Sequence, residues 1–173
     1  MTIPELSTER LRFRQWRNED LAPFAAFYAD PAASRFIGGP SNREAVWRRI
    51  ASYVGHWTLR GYGLWALEDK ATGRFAGYCG LWYPDGWPEP EIGWGLMKEF
   101  QGRGLITEAA LRVREYAYGV LGWTTAASCI ADENGPSRRV AARLGAHPER
   151  NIIILGNVAT LYRHPAPEQS GQS

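Results

Sequence analysis

A glycine-rich turn in the middle of the chain has the residue types of an anion-binding site. Its sequence is Gln101-Gly102-Arg103-Gly104-Leu105-Ile106, and it lies between a predicted strand and a predicted helix. Free backbone N–H groups and the positive end of the helix dipole meet there, which favours a phosphate. Glycine permits the close approach of a phosphate oxygen, and Arg103 adds a cation for a second phosphate. A plain strand-to-helix turn with a solvated arginine is the alternative interpretation.

The turn lacks the other features of the common nucleotide sites. A dinucleotide fingerprint needs a third glycine where this chain has Thr107, an acidic residue about 20 positions later and an early βαβ unit. The sequence has none of these, and it has no Walker A loop. The turn therefore indicates a phosphorylated ligand other than a dinucleotide or a nucleoside triphosphate.

Composition limits the kind of protein that surrounds this turn. With 173 residues, 45% of them hydrophobic, the chain is long enough for one compact domain. The net charge of +2 is far below the basic surface that a nucleic-acid partner needs. No apolar run approaches a membrane span, and Met1–Arg10 lacks a secretory signal, so we expect a cytoplasmic protein without a membrane partner. Cys79 and Cys129 lie in apolar runs and are expected to be buried thiols.

The hydrophobic pattern predicts a mixed α and β domain. Predicted helices lie around residues 21–28, 46–57, 105–120 and 136–144. Predicted strands lie around residues 11–15, 64–67, 75–83, 91–97, 124–130, 152–155 and 159–163. Because antiparallel strands are grouped in the middle, the pattern favours an α+β fold of about seven strands and about four helices. The Pro-, Gln- and Ser-rich end, residues 165–173, is expected to be a disordered tail.

Several ordered segments resemble the GNAT superfamily of N-acetyltransferases. Its cofactor signature is Gln or Arg, two variable residues, Gly, one variable residue, then Gly or Ala. Gln101 and Gly104 match this signature, and Ile106 departs from it. Further segments look like the ribosomal-protein N-terminal acetyltransferase-like branch, and they are Thr8–Arg14, Tyr62–Ala66, Phe75–Gly77, Glu91–Leu96, and the set Asn134, Ser137, Val140, Leu144 and Gly145. The resemblance covers about residues 8–164, which are therefore expected to form one acetyltransferase domain.

The resemblance implies that acetyl-CoA is the cosubstrate and that no metal takes part. In the family, a mostly antiparallel sheet splays between its fourth and fifth strands, and the pantetheine arm lies along the fourth. The backbone groups that would bind this arm and polarise the thioester carbonyl belong here to Trp94, Gly95 and Leu96. Residues 101–106 would hold the diphosphate. Asn134 would bond the pantetheine amides, with a helix-capping role as the alternative.

Two polar side chains are candidates for proton transfer. An acceptor amine has a pKa near ~10.4 in a lysine or ~8 at a chain terminus, so it must lose a proton before it attacks. Glu91 begins the fourth strand and, by alternation, points to the face opposite Trp94, where it could take this proton; a rim carboxylate is the alternative. Ser137 could hydrogen-bond a water or the departing sulfur, or be an ordinary first-turn residue. Ala141 stands where many superfamily members have a tyrosine acid.

We therefore expect acetyl transfer from acetyl-CoA to a primary amine, at a protein N-terminus or on a small molecule, by direct attack in a ternary complex. Aromatic residues of the Pro-rich turn could line the acceptor groove, with core packing as the alternative; they are Trp82, Tyr83, Trp87 and Trp94. A non-catalytic acyl-CoA-binding or sensing module is the competing function, and Ile106 and Ala141 motivate it. An RNA-associated protein is a third hypothesis. A homodimer is left open.

Overall fold

The computed structural model describes residues 3–167, which form an eight-stranded sheet and five α-helices. The strands are β1 (Leu6–Ser7), β2 (Leu11–Arg14), β3 (Leu64–Asp69), β4 (Phe75–Trp82), β5 (Glu91–Leu96), β6 (Ala127–Ala131), β7 (His147–Ile154) and β8 (Asn157–Arg163). The helices are α1 (Leu21–Ala29), α2 (Pro31–Ser34), α3 (Arg43–Arg60), α4 (Leu105–Gly119) and α5 (Gly135–Arg143). The strand order is β1-β2-β3-β4-β5-β6-β8-β7. The predicted α+β fold is confirmed.

The strand and the helix beyond the predicted numbers are both very short. β1 has two residues, paired antiparallel with β2, which is too short for a hydrophobic period to appear in the sequence. α2 is a single turn whose N-cap is Asp30, because the side chain of Asp30 accepts from the N–H groups of Ala32 and Ala33. Neither element changes the predicted architecture.

The sheet opens between β5 and β6, the strands that correspond to the fourth and fifth predicted ones. All other neighbouring strands of the sheet pair antiparallel, whereas β5 and β6 are parallel and meet at the single pair Glu91 and Ala127. Beyond this pair the two strands diverge. A wedge-shaped gap therefore begins beside Glu91 and widens toward Leu96.

Helices α1 and α3 cover one face of the sheet with aromatic side chains. The ring of Trp16 lies 5.2 Å from that of Phe24 and 5.3 Å from that of Tyr53. Tyr53 in turn lies 5.9 Å from Tyr78 of β4, measured between ring centroids. Each buried ring contributes roughly 2 kcal/mol of hydrophobic free energy, so this cluster fixes the two helices over β4.

Helix α4 covers the opposite face with smaller side chains. Leu105, Ala109 and Val113 are fully buried and recur at helical spacing. The small residues Ala109 and Ala110 allow the helix to pack closely against β4 and β5. The N-terminus of α4 is therefore held near the end of β5, and the glycine-rich turn joins the two.

Two further expectations from the sequence concern the C-terminal tail and a membrane-spanning helix. Pro165–Pro167 have no regular structure, and the hydroxyl of Tyr118 donates to the Pro165 carbonyl at 2.7 Å. The rest of the expected disordered tail, residues 168–173, lies outside the described residues. Within residues 3–167, no helix is both long and apolar enough to cross a membrane.

Candidate active site

The edge of β5 that faces the gap carries backbone groups without a strand partner. Met97 donates its N–H to the Ala76 carbonyl of β4, at 2.9 Å. Because alternate residues of a strand direct their N–H and C=O groups to opposite neighbours, Gly95 faces β4, and the residues that face the gap are Ile92, Trp94 and Leu96.

Two side chains fill the ends of this exposed edge. Ser128 of β6 donates its hydroxyl to the Ile92 carbonyl at 2.6 Å. Gln101 donates its side-chain amide to the Leu96 carbonyl at 3.0 Å. The N–H and C=O of Trp94 lie between these two bonds and face the gap. An extended ligand with amide groups can pair with them as a further strand would.

The glycine-rich turn presents backbone N–H groups at the wide end of the gap. Gly102 and Gly104 have φ values of 74° and 75°, a left-handed conformation that favours glycine. A Cβ built at Gly102 meets no atom within 4 Å, so space is open above the turn. Among residues 3–167, the first-turn N–H groups of Leu105, Ile106 and Thr107 find no acceptor. The turn therefore fits the diphosphate of acetyl-CoA.

Two features of this turn were not anticipated from the sequence. The hydroxyl Oγ1 of Thr107 is buried and has no hydrogen-bond partner in the described chain, which points to an external partner. Arg10, which directly precedes β2, supports the turn. Its Nη1 donates to the Arg103 carbonyl at 2.9 Å, and its Nε donates to Glu108 Oε2 at 2.7 Å. Because Arg10 holds a carbonyl, the N–H groups of the turn stay free.

The departure of Ile106 from the family signature does not block the turn. Its side chain is 7% exposed and packs in the hydrophobic core, as does the fully buried Leu105. Both branched side chains therefore point away from the open space above the turn. Arg103 is exposed, and its guanidinium makes no ion pair within the described residues, so it is available to a phosphate.

Glu91 occupies the narrow end of the gap. Its side chain lies on the α1 and α3 face, and its Oε2 accepts the backbone N–H of Cys129 at 2.8 Å. Glu91 is 7% exposed, and this burial raises the pKa of its carboxyl from 4.5 to about 7. A carboxyl with this pKa is suited to accept a proton near neutral pH.

Trp94 and Ser137 approach each other on the opposite face. The indole N–H of Trp94 donates to Ser137 Oγ across the gap at 3.3 Å. The Oδ1 of Asn134 accepts the Ser137 N–H at 3.2 Å, so Asn134 caps α5, as the alternative interpretation proposed. The Ser137 hydroxyl hydrogen and the Asn134 amide hydrogens have no acceptor in residues 3–167. Both side chains can therefore still donate to a ligand in the gap.

The two thiols and the buried Ser128 do not form a nucleophilic site. Burial raises the pKa values of Cys79 and Cys129, so both thiols are protonated at neutral pH. Ser128 donates to Ile92, and its Oγ therefore accepts from Nε2 of His164 at 2.9 Å. A base would have to accept the serine hydrogen instead. No cluster within residues 3–167 combines three side chains able to hold a metal ion.

The structure thus brings most of the predicted site residues to one gap. Glu91 lies at its apex, Trp94 and Leu96 along one edge, Asn134 and Ser137 on the far side, and residues 101–106 at its mouth. Gly95 is the exception, because its backbone faces β4. Among the aromatic residues of the Pro-rich turn, Trp82 packs against the core, with its ring centroid 5.2 Å from that of Tyr53.

Known proteins resemble this chain over nearly its whole length, in sequence or in fold. The relative YkkB of Bacillus subtilis is 31% identical over 157 residues, which is 86% of this chain and 88% of YkkB. A crystal structure of an acetyltransferase from Agrobacterium tumefaciens superposes with a TM-score of 0.86 at 30% identity, covering 95% of this chain and 96% of that one. The ribosomal-protein-S5-alanine acetyltransferase of Vibrio fischeri shares the fold, with a TM-score of 0.75 at 15% identity, covering 96% of this chain and 98% of that one.

The family assignment rests on the domain as a whole. The acetyltransferase (GNAT) domain matches residues 10–147, which include the glycine-rich turn, the gap and Asn134. Members of this family use acetyl-CoA as the acetyl donor. With the splayed strands and the free N–H groups of the turn, this match shows that the chain belongs to the GNAT family of acetyltransferases.

Proposed function

We propose that residues 8–164 form a domain that binds acetyl-CoA in the gap between β5 and β6 and transfers the acetyl group to a primary amine. The observation that carries this proposal is the unpaired edge of β5. The N–H and C=O of Trp94 lie between two carbonyls that side chains already occupy. A pantetheine arm has amide groups at a spacing that can pair with such an edge.

The residues around the gap fit the other parts of acetyl-CoA. The N–H groups of residues 102–106 and the hydroxyl of Thr107 would hold the diphosphate, with Arg103 beside it. Gln101 acts on the strand instead, because its amide is bonded to Leu96. The Asn134 amide would donate to the arm. Acetyl-CoA supplies the activated thioester, and no residue of the chain needs to carry the acetyl group.

Glu91 is the proposed base of a direct transfer. The amine nitrogen forms a bond to the acetyl carbon, the carbon–sulfur bond breaks, and the amine proton passes to Glu91 directly or through a water. Its pKa of about 7 keeps a useful fraction ionised at neutral pH and still allows proton uptake. Gly93 places no side chain over this carboxyl, because a Cβ built at Gly93 would itself be in van der Waals contact with Oε1 of Glu91, at 3.7 Å.

Ser137 is the proposed hydrogen-bond donor to the departing thiolate. It lies on the α4 and α5 face, whereas Glu91 lies on the α1 and α3 face, so the two groups flank the gap from opposite sides. A base on the side of the amine and a donor on the side of the sulfur suit attack within a ternary complex. A tyrosine is not needed at Ala141, which is fully buried on the inner face of α5.

The resemblance to the ribosomal-protein N-terminal acetyltransferase-like branch extends the proposal to the acceptor. We propose an α-amine or another primary amine as the acceptor. The Vibrio fischeri protein described above is named a ribosomal-protein-S5-alanine acetyltransferase. Since that structure shares only the fold with this chain, the acceptor has to be identified by assay.

The test of this function separates binding from transfer. Calorimetry with acetyl-CoA measures binding, and thiol release with a panel of amines measures transfer. Gly104→Asp places a carboxylate in the phosphate site and should abolish binding. Gly122→Asp is the matched control, because Gly122 also has a positive φ, of 69°, and open space around it, but lies beyond the end of α4.

Three outcomes of this test are informative. Loss of binding in Gly104→Asp alone supports the diphosphate site. Equal binding in wild type and Gly104→Asp contradicts it. Binding by the wild type without thiol release on any amine would instead favour the acyl-CoA-binding module.

A further inference from the structure

An arginine without a carboxylate partner among residues 3–167 lies among tyrosines on the face of the sheet that carries Glu91. Arg49 is on the face of α3 that packs against the sheet, three residues after the buried Val46 and four before Tyr53. Its guanidinium lies over the ring of Tyr28, with Cζ 4.6 Å from the ring centroid. A positive charge at this position is unusual, because the neighbouring positions of the stripe are apolar or aromatic.

No carboxylate of residues 3–167 neutralises this arginine. The Nε of Arg49 is buried without a hydrogen-bond partner in the described chain. All ion pairs formed by the described residues involve other side chains. A buried, unpaired donor is costly for the folded state, so such a group calls for an external partner.

The cluster of Arg49, Tyr28, Tyr53 and Tyr78, here called the tyrosine cluster, lies on the face of the sheet that also carries Glu91. Tyr53 and Tyr78 are in contact, with ring centroids 5.9 Å apart, and Tyr78 is opposite Gly95 in the β4 and β5 register. The Tyr78 hydroxyl lies over the β5 backbone, because a Cβ built at Gly95 would be 2.9 Å from it. Burial raises the pKa values of Tyr53 and Tyr78, so both phenols are protonated at neutral pH. The Tyr28 hydroxyl donates to the Ile37 carbonyl at 3.4 Å, which leaves Tyr53 and Tyr78 as the donors of the cluster.

We propose that Arg49 and the tyrosines of this cluster bind a carboxylate of the acceptor while its amine lies beside Glu91. This inference rests on the proposed function and specifies its substrate class as amines that also carry a carboxylate. Guanidinium groups pair with carboxylates in a fixed, two-pronged geometry, and the phenol rings suit an apolar segment between the two charges. A free amino acid and an acidic peptide N-terminus share this chemistry.

The first test needs no transfer reaction. The probe 3-phenylpropanoate has a carboxylate and a ring but no amine, and 3-phenylpropanamide is its neutral match. Calorimetry should show that the wild type binds the acid more tightly than the amide, and that Arg49→Gln loses about tenfold in affinity for the acid only. Arg48→Gln, an exposed neighbour on the same helix, is the matched control and should bind as the wild type does. If Arg49→Gln does not fold, Arg49→Lys is the second variant. It keeps the charge and should lose less than tenfold in affinity for the acid.

The second test uses thiol release and distinguishes the two sources of the carboxylate. Free amino acids are compared with their amides, and peptides that begin with Asp with those that begin with Asn. Because an acid and its amide differ in amine pKa, the measured quantity is the change in the acid-to-amide ratio of kcat/KM on Arg49→Gln. A fall of about tenfold supports the proposal. An unchanged ratio, or a wild type that does not bind the acid probe up to its solubility limit, overturns it even when acetyl-CoA binding is normal.

Discussion

Cys129 donates its backbone N–H to Oε2 of Glu91 at 2.8 Å, and this bond spans the point where β5 and β6 separate. It replaces the next strand-to-strand hydrogen bond with a bond to a side chain. The carboxylate is thereby fixed at the apex of the gap, where the Cys129 N–H and the neighbouring side chains of Trp87 and Cys129 favour its charged form. Burial outweighs these interactions, which explains why the pKa of Glu91 is raised to about 7.

The activity of Glu91→Gln should depend on pH. Below the pKa of the acceptor amine, wild-type turnover uses Glu91 to remove the proton, and the glutamine cannot do so. We expect kcat to fall about a hundredfold near pH 7 and less at high pH, where the amine is already neutral. An equal loss at both pH values would show that Glu91 positions the site without accepting the proton.

The stability of Glu91→Gln should rise at a pH where its activity is lowered. A folded-state pKa of about 7 against 4.5 in the unfolded chain means that Glu91 favours folding below pH 4.5 and loses this contribution as the pH rises through 7. At 1.36 kcal/mol per pKa unit, the full loss is about 3 kcal/mol. In urea unfolding, Glu91→Gln should therefore be more stable than wild type near pH 8 and about equal near pH 4. Glu115→Gln, on the exposed side of α4, is the control.

Arg10→Met should weaken acetyl-CoA binding, although Arg10 is not itself a residue of the turn. Its bonds to the Arg103 carbonyl and to Glu108 hold the turn in the conformation that leaves the N–H groups free. Without them, we expect the Kd of acetyl-CoA to rise about fivefold to tenfold. Arg12→Met removes a cation two residues further along the chain and an ion pair with Glu68, so it is the matched control. Equal affinities of the two variants would contradict the bracing role of Arg10.

The sequence predicted the parts of this site that depend on short-range patterns. The glycine-rich turn and the start of β5 are defined by consecutive residues, and both occur where the pattern placed them. Contacts between distant segments were not predictable in this way. Arg10 and Glu108 are 98 residues apart, and the tyrosines around Arg49 come from α1, α3 and β4. A single arginine within the apolar stripe of α3 was the only local signal for the tyrosine cluster.

The start of β7 shows that secondary structure, too, can depend on contacts between distant segments. The sequence predicted a strand from Ile152, whereas β7 begins at His147. The additional residues are exposed and polar, so they do not alternate in hydrophobicity, and they are held instead by antiparallel pairing with β8. Ion pairs of Arg163 with Glu89 and Glu149 add to this pairing. Tertiary contacts thus extended an edge strand for which the local sequence gave no pattern.

His164 should make the protein sensitive to acid. Its Nε2–H donates to Ser128, and burial lowers its pKa from 6.5 to about 4. The neutral ring therefore stabilises the fold above pH 6.5, and this contribution is lost as the pH falls from 6.5 toward 4. Urea unfolding should show that His164→Gln loses less stability than wild type over this range. His147→Gln, an exposed site, should behave as wild type, and a parallel decline of wild type and His164→Gln would contradict the assignment.

Two glycines of β5 should differ sharply in their tolerance of alanine. A Cβ at Gly95 would lie 2.6 Å from the ring of Tyr78, whereas a Cβ at Gly93 would have no neighbour closer than 3.7 Å. Because the Tyr78 ring is packed against Tyr53 and Trp16, it cannot retreat freely, and Gly95→Ala should cost about 1–3 kcal/mol in urea unfolding. Gly93→Ala should be near neutral. Since Tyr78 belongs to the tyrosine cluster, Gly95→Ala should also raise the acceptor KM more than the Kd of acetyl-CoA. Equal stability of the two variants would show that the ring has room to move.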